Sequence, residues 1–180
     1  MSVVLIGFKG AGKTTVGPLL ASRLGLPFDD LDRRVEAAAE ARLGEKAGFR
    51  EAFRRLGGEA FRALERTLLA GALAEGEMVL ALGGGAPLDP AARASLEGHC
   101  VVYLRVPEED LVRRVREDGW PAYLDAEADK EGALRGVLAA RLPRYERLAG
   151  VVVENPDGRD PAEAAAEAER GVRSWLDQRR

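Results

Sequence analysis

Residues 7–14 read GFKGAGKT, and this short stretch decides the fold. It fits G-x-x-x-x-G-K-[ST], with Gly7, Gly12, Lys13 and Thr14 at the required positions. Each position has a chemical reason. Glycines let the backbone turn successive N–H groups toward phosphate oxygens. The lysine ammonium reaches the β- and γ-phosphates, and the threonine hydroxyl is a Mg²⁺ ligand. The flanks agree with the loop. SVVLIGF before it is a β-branched apolar run suited to a buried parallel strand. KTTVGPLLASRLG after it has apolar residues at helical spacing, which aims a helix N-terminus at the anion. Pro18, about one turn into that helix, removes a hydrogen bond and predicts a kink.

Working outward, the chain holds 23 Arg but only four Lys, and two of the four, Lys9 and Lys13, lie in this loop. A compact ammonium kept where guanidinium is otherwise preferred marks a position that does not accept the exchange. A length of 180 residues fits one domain with a single sizeable core. The formal net charge of −3 suggests neither a general nucleic-acid surface nor a membrane surface. One Cys and one His exclude a disulfide framework and a zinc cluster. Cys100 opens an apolar run and reads as core; His99 reads as surface rather than catalyst. MSVVLIGF has no basic start, and no apolar run approaches bilayer-spanning length. The expectation is a cytoplasmic monomer acting on a small molecule, with no nucleic-acid or membrane partner.

Strand-like runs at 2–8, 27–30, 78–82, 100–106 and 150–154 alternate with helical stretches. The alternation predicts an open three-layer α/β/α P-loop fold, a five-stranded parallel sheet with helices on both faces. Residues 31–76 predict a helical substrate-binding insert of two or three helices, with Gly57-Gly58 as a break. Residues 117–131 are polar and poorly periodic and predict a mobile lid that excludes water during phosphoryl transfer. From Pro161 onward an Ala/Glu-rich amphipathic helix closes the sheet. The whole of 1–180 is thus expected to be one domain.

Ligands of such sheets gather at the carboxyl ends of the strands. The third strand ends in Gly83-Gly84-Gly85 with no acid, so the carboxylates a P-loop enzyme needs come from Asp29-Asp30-Leu31-Asp32 after the second. In an extended segment Asp30 and Asp32 point the same way, one toward a hydrated metal and one toward an attacking hydroxyl. The same acids also suit the start of the next helix. The glycine triplet requires a close backbone approach, to a turn or to a ligand.

GFKGAGKTTVG, FDDLD, GEAFRALE, LGGGA and RLPRYE together resemble the shikimate kinase family, in order and spacing, over about residues 3 to 160. The resemblance implies transfer of the γ-phosphoryl of MgATP to the 3-hydroxyl of shikimate, toward chorismate and the aromatic amino acids. It implies that Gly10, Ala11, Gly12, Lys13, Thr14 and Thr15 hold the nucleotide, with Thr14 and Asp30 on Mg²⁺. Asp32 then binds the acceptor hydroxyl and acts as base. Arg62 and Arg141 grip the substrate carboxylate, for which the guanidinium fork is suited. Gly83, Gly84 and Gly85 contact the substrate, while Arg113 or its neighbour Arg114, and Arg159, lie beside the adenine.

One position departs from the family pattern. The lid usually carries an Arg before Pro and two apolar residues, and here Trp120 stands there without charge. Losing an arginine of that type costs orders of magnitude in rate. Arg116, one turn upstream, is the expected catalytic substitute, with Lys130 near the end of the lid as the second candidate; slower transfer with Lys13 and Mg²⁺ alone, and a changed acceptor or activity, are the alternatives.

Overall fold

A computed structural model describes residues 1–44 and 48–179 of the chain. Its sheet contains β1 (Val3–Ile6), β2 (Phe28–Asp30), β3 (Val79–Ala81), β4 (Cys100–Arg105) and β5 (Val151–Glu154). All neighbours are parallel, in the spatial order β2-β3-β1-β4-β5. Each expected strand run therefore contains one observed strand. Central strands must be apolar on both faces when helices cover both, and β1 and β3 are buried at every residue. Burying Leu5 or Ile6 fully contributes roughly 1.5–3 kcal/mol each.

The helices are α1 (Lys13–Leu24), α2 (Leu31–Leu43), α3 (Phe49–Leu56), α4 (Gly58–Glu75), α5 (Pro90–Ala94), α6 (Glu108–Asp118), α7 (Lys130–Leu148) and α8 (Pro161–Asp177). Helix α1 runs uninterrupted through Pro18, whose ring lies on the exposed face. The expected helical insert is α2, α3 and α4, apart from residues 45–47, which lie outside the described residues. Gly57, at φ 78°, supplies the break between α3 and α4. Phe53 and Phe61 meet edge-to-face across it, with ring centroids 5.2 Å apart.

Several single-residue expectations also meet their outcome here. Cys100 is fully buried, and burial pushes its thiol up to about 12. His99 Nδ1 accepts a hydrogen bond from the Ser2 amide at 3.0 Å, tying the starts of β1 and β4 together. Among the described residues no helix is long and apolar enough to cross a membrane.

Candidate active site

The loop between β1 and α1 opens into a cavity of about 430 Å³ at the carboxyl end of the sheet. Gly10 and Gly12 take φ of 82° and 88°, values that side-chain-bearing residues rarely adopt. Gly12 caps α1 without a side chain, and the Thr15 amide donates to the Gly12 carbonyl at 3.1 Å, so the amides of Lys13 and Thr14 are left to an anion. Lys13, Thr14 and Thr15 follow at the cavity wall. The Lys13 ammonium folds back on its own loop, donating to the Gly7 and Phe8 carbonyls at 2.9 Å each. Burial lowers its pKa from the ordinary lysine value, opposed by Asp32 and Asp30.

The loop is braced from behind by residues more than a hundred positions away. Asn155, buried just after β5, donates its amide to the Ala11 carbonyl at 2.9 Å. Arg114 on α6 donates to the Gly10 carbonyl at 2.8 Å, to the Asn155 carbonyl at 3.0 Å and to Asp157 at 2.6 Å. A Cβ on Gly12 would lie 2.7 Å from the Asn155 amide nitrogen, so the glycine also makes room for its own brace.

Asp30 and Asp32 both line the cavity, though not by extended geometry. Asp30 ends β2 and caps α2, its Oδ1 accepting from the Asp32 amide at 2.9 Å; Asp32 already sits in the first helical turn. The cap turns the chain at once, so the helix-starting role and the site role coexist. Asp29 is spent elsewhere, on Arg34 at 2.6 Å. Burial pushes the Asp32 carboxyl from 3.8 up to about 6; Asp30 adds to the rise and Lys13 opposes it. Its Oδ1 is buried without a hydrogen-bond partner.

Residues 83–85 form a ledge between this acid and an arginine. A Cβ on Gly83 would lie 2.3 Å from Asp32 Oδ1, and one on Gly85 would lie 2.6 Å from an Arg62 nitrogen. The Gly84 carbonyl accepts from the Tyr145 hydroxyl at 2.5 Å, and a Cβ there would stand 3.7 Å from the Lys9 amide nitrogen. A side chain at Gly83 or Gly85 would therefore displace Asp32 or Arg62, while Gly84 lies in ordinary contact with Tyr145 and the phosphate loop. Arg62 hydrogen-bonds Glu65, a nearly inaccessible carboxylate whose pKa burial raises. Arg141, one turn before Tyr145 on α7, lies 5.7 Å from the Phe8 ring centroid and 5.5 Å from that of Tyr123.

Of the residues singled out in the sequence, the cavity wall holds Gly10, Gly12, Lys13, Thr14, Thr15, Asp30, Asp32 and Gly84. Ala11 is buried behind it, Gly83 and Gly85 belong to the ledge, Arg62 lies beside Gly85, and Arg141 lies by the Phe8 and Tyr123 rings. Arg114 lines the cavity, whereas Arg113 turns to Asp110 and Asp157. Arg159 pairs with Glu167 and the Glu154 carbonyl. Arg116 is exposed on α6, Lys130 begins α7, and neither lines the cavity; Trp120 is partly buried against the core. Sequence reasoning missed Asn155, Tyr145 and Glu65. Asn155 carried a signal, as the chain's one Asn placed just past a strand end.

Comparison with known proteins follows the geometry. The shikimate kinase family model matches residues 9–171. The shikimate kinase of Thermobifida fusca is 44% identical over 163 residues, which span 90% of this chain and 89% of that protein. That of Salinispora arenicola is 43% identical over 164 residues, 91% of this chain and 93% of that one. Among solved structures, the shikimate kinase from Acinetobacter baumannii in complex with shikimate is similar at a TM-score of 0.82 and 32% identity, covering 96% of this chain and 93% of that chain. A gluconokinase from Sinorhizobium meliloti has a TM-score of 0.55 at 20% identity, over 98% and 94% of the two chains, a likeness of fold alone.

Proposed function

The chain belongs to the shikimate kinase family, and from that premise we propose that it transfers the terminal phosphoryl group of ATP to the 3-hydroxyl of shikimate. The observation that carries this reading is the Gly83–Gly85 ledge. It offers one small molecule a carboxylate base at one end, Asp32, and a guanidinium at the other, Arg62, beside the loop that suits ATP phosphates. A hydroxylated carboxylic acid suits that pairing of a base with a cation.

In this reading the amides of residues 10–15 and the Lys13 ammonium hold the phosphates, and Lys13 exchanges its two loop carbonyls for phosphate oxygens. Arg62 and Arg141 bind the shikimate carboxylate through paired N–H groups. Arg114 and Arg159 border the nucleotide's base. Asp32 accepts the proton of the attacking hydroxyl as the new O–P bond forms and the bond to the leaving ADP breaks. A carboxylate raised to about 6 is well suited to that proton, being ionised near neutrality yet more basic than an ordinary aspartate.

Magnesium belongs to the same proposal, and the residues fit it. Thr14, Asp30 and Asp32 bring oxygen donors to the wall of one cavity. Mg²⁺ takes oxygen ligands and keeps several waters, so a full protein cage is not needed. When bound, the ion neutralises charge on the phosphate oxygens. Each residue given a role lies on one chain, so a monomer suffices, and small water-soluble substrates suit the cytoplasm.

The test is ADP release from MgATP with shikimate, gluconate or AMP as the only acceptor. A shikimate-dependent signal that disappears in Lys13→Ala and Asp32→Ala is expected. A signal with gluconate or AMP alone would overturn the assignment of the acceptor.

A further inference from the structure

The cavity that suits ATP is framed by a lid of the wrong sign. Residues 117–131 carry Glu117, Asp118, Asp125, Glu127, Asp129 and Glu131 against a single cation, Lys130, and Glu117 and Asp118 line the cavity. A polyanionic nucleotide beneath such a segment needs cations from the opposite wall. Among the described residues, three line the cavity: Lys9, Lys13 and Arg114. Arg114 is committed to bracing the loop through Gly10, Asn155 and Asp157. Lys13 belongs to the phosphate loop's own signature.

Lys9 is different. Its ammonium donates to the Gly119 carbonyl at 2.5 Å, across 110 positions of sequence, at the residue where α6 gives way to the lid. Gly119 has φ 93° and directly precedes Trp120. The backbone of residue 9 meets the Gly83–Gly85 ledge, with its amide nitrogen 3.7 Å from where a Gly84 Cβ would be. Lys9 therefore rises from the boundary between phosphate loop and acceptor ledge, where the transferring group passes. An ammonium has three donors, so one bond to Gly119 leaves two for phosphate oxygens, which as anions bind it more strongly than a neutral carbonyl does.

We propose that Lys9 is a second catalytic cation for the phosphoryl transfer, contacting the terminal phosphoryl oxygens while its remaining N–H ties the base of the acidic lid to the nucleotide. The inference rests on the reading of this cavity as the ATP site. Lys9 stabilises negative charge on the phosphoryl group as it moves, and makes lid position depend on the presence of the terminal phosphate.

The test compares the parent protein with Lys9→Met and Lys9→Arg. Calorimetric binding of ADP and of the non-hydrolysable β,γ-imido analogue of ATP is measured beside steady-state turnover with shikimate. Lys9→Met is expected to lower kcat by about 10²-fold, the scale for removing one donor to developing charge. It should weaken the imido analogue about tenfold or more while leaving ADP binding within threefold, and Lys9→Arg should restore part of both losses. Retained ADP binding also establishes that the variant is folded. A Lys9→Met kcat within threefold of the parent overturns the proposal, as does equal weakening of ADP and the analogue. If the parent itself binds neither nucleotide, the assignment of the cavity fails and the proposal with it.

Discussion

Replacing Asp32 with asparagine should make the ligand-free protein more stable and the enzyme nearly inactive. The carboxyl is pushed from 3.8 to about 6, first by burial and then by Asp30, with Lys13 opposing. At about 1.4 kcal/mol per pKa unit, keeping Asp32 ionised above pH 6 costs the folded state about 3 kcal/mol. Between 3.8 and about 6 the folded protein binds more protons than the unfolded chain. Stability contributed by this group therefore falls as pH rises through that window and stays low above it. Asparagine removes the charge but leaves an amide in a site where Oδ1 has no partner, a loss of about 1 kcal/mol or more. The net gain at pH 8 is then about 1–2 kcal/mol, or roughly 3–6 °C in Tm for a chain of this length. The charge-derived part should shrink to about half at pH 5 and vanish below pH 4. Thermal unfolding of both proteins by circular dichroism, without ligands, at pH 8 and pH 5 gives the comparison. Turnover of the variant should fall by about 10²–10⁴-fold. An asparagine protein less stable than the parent at pH 8, or a gain identical at both pH values, would refute the picture of a strained, buried carboxylate.

Three further outcomes follow from the same geometry. The kcat/KM for shikimate should decline below about pH 6, where Asp32 in the free enzyme takes up its proton; a limb near pH 4 would assign the proton to another group. Gly85→Ala puts a Cβ 2.6 and 2.8 Å from the two terminal nitrogens of Arg62. Displacing that guanidinium should raise the KM for shikimate about tenfold with the KM for ATP little changed, a loss near 1.4 kcal/mol; the opposite pattern in steady-state kinetics would move Gly85 to the nucleotide side. Asn155→Ala strips the Ala11 carbonyl of its donor, so it should cost about 1–3 kcal/mol in urea unfolding and raise the KM for ATP. Unchanged nucleotide affinity would mean that the phosphate loop holds its shape without the brace.

The layered fold and the glycine loop before α1 were legible in the chain because their requirements are local. GFKGAGKT answers a backbone need, for turns that aim amides at an anion, and that need is met by neighbours in sequence. Apolar runs alternating with helical periodicity report burial one element at a time, and five such runs became the five parallel strands. The acids after β2 could also be read, although the expected extended geometry gave way to a helix cap at Asp30. Nothing local distinguishes Arg62 and Arg141 from the other arginines. Their meaning comes from the glycine ledge and from the rings of Phe8 and Tyr123, brought to them only by the folded sheet. The same holds for Asn155, just past β5, and Arg114, on α6, which brace the phosphate loop across more than a hundred positions of sequence. Asp32's unusual proton affinity likewise depends on what surrounds it. The sequence by itself determined the architecture and the glycine loop whose form suits a phosphate, since both arise from contiguous residues. Tertiary structure alone decided which cations face the ledge, what holds the loop and how basic Asp32 becomes, because burial and charge proximity are properties of residues far apart in the chain.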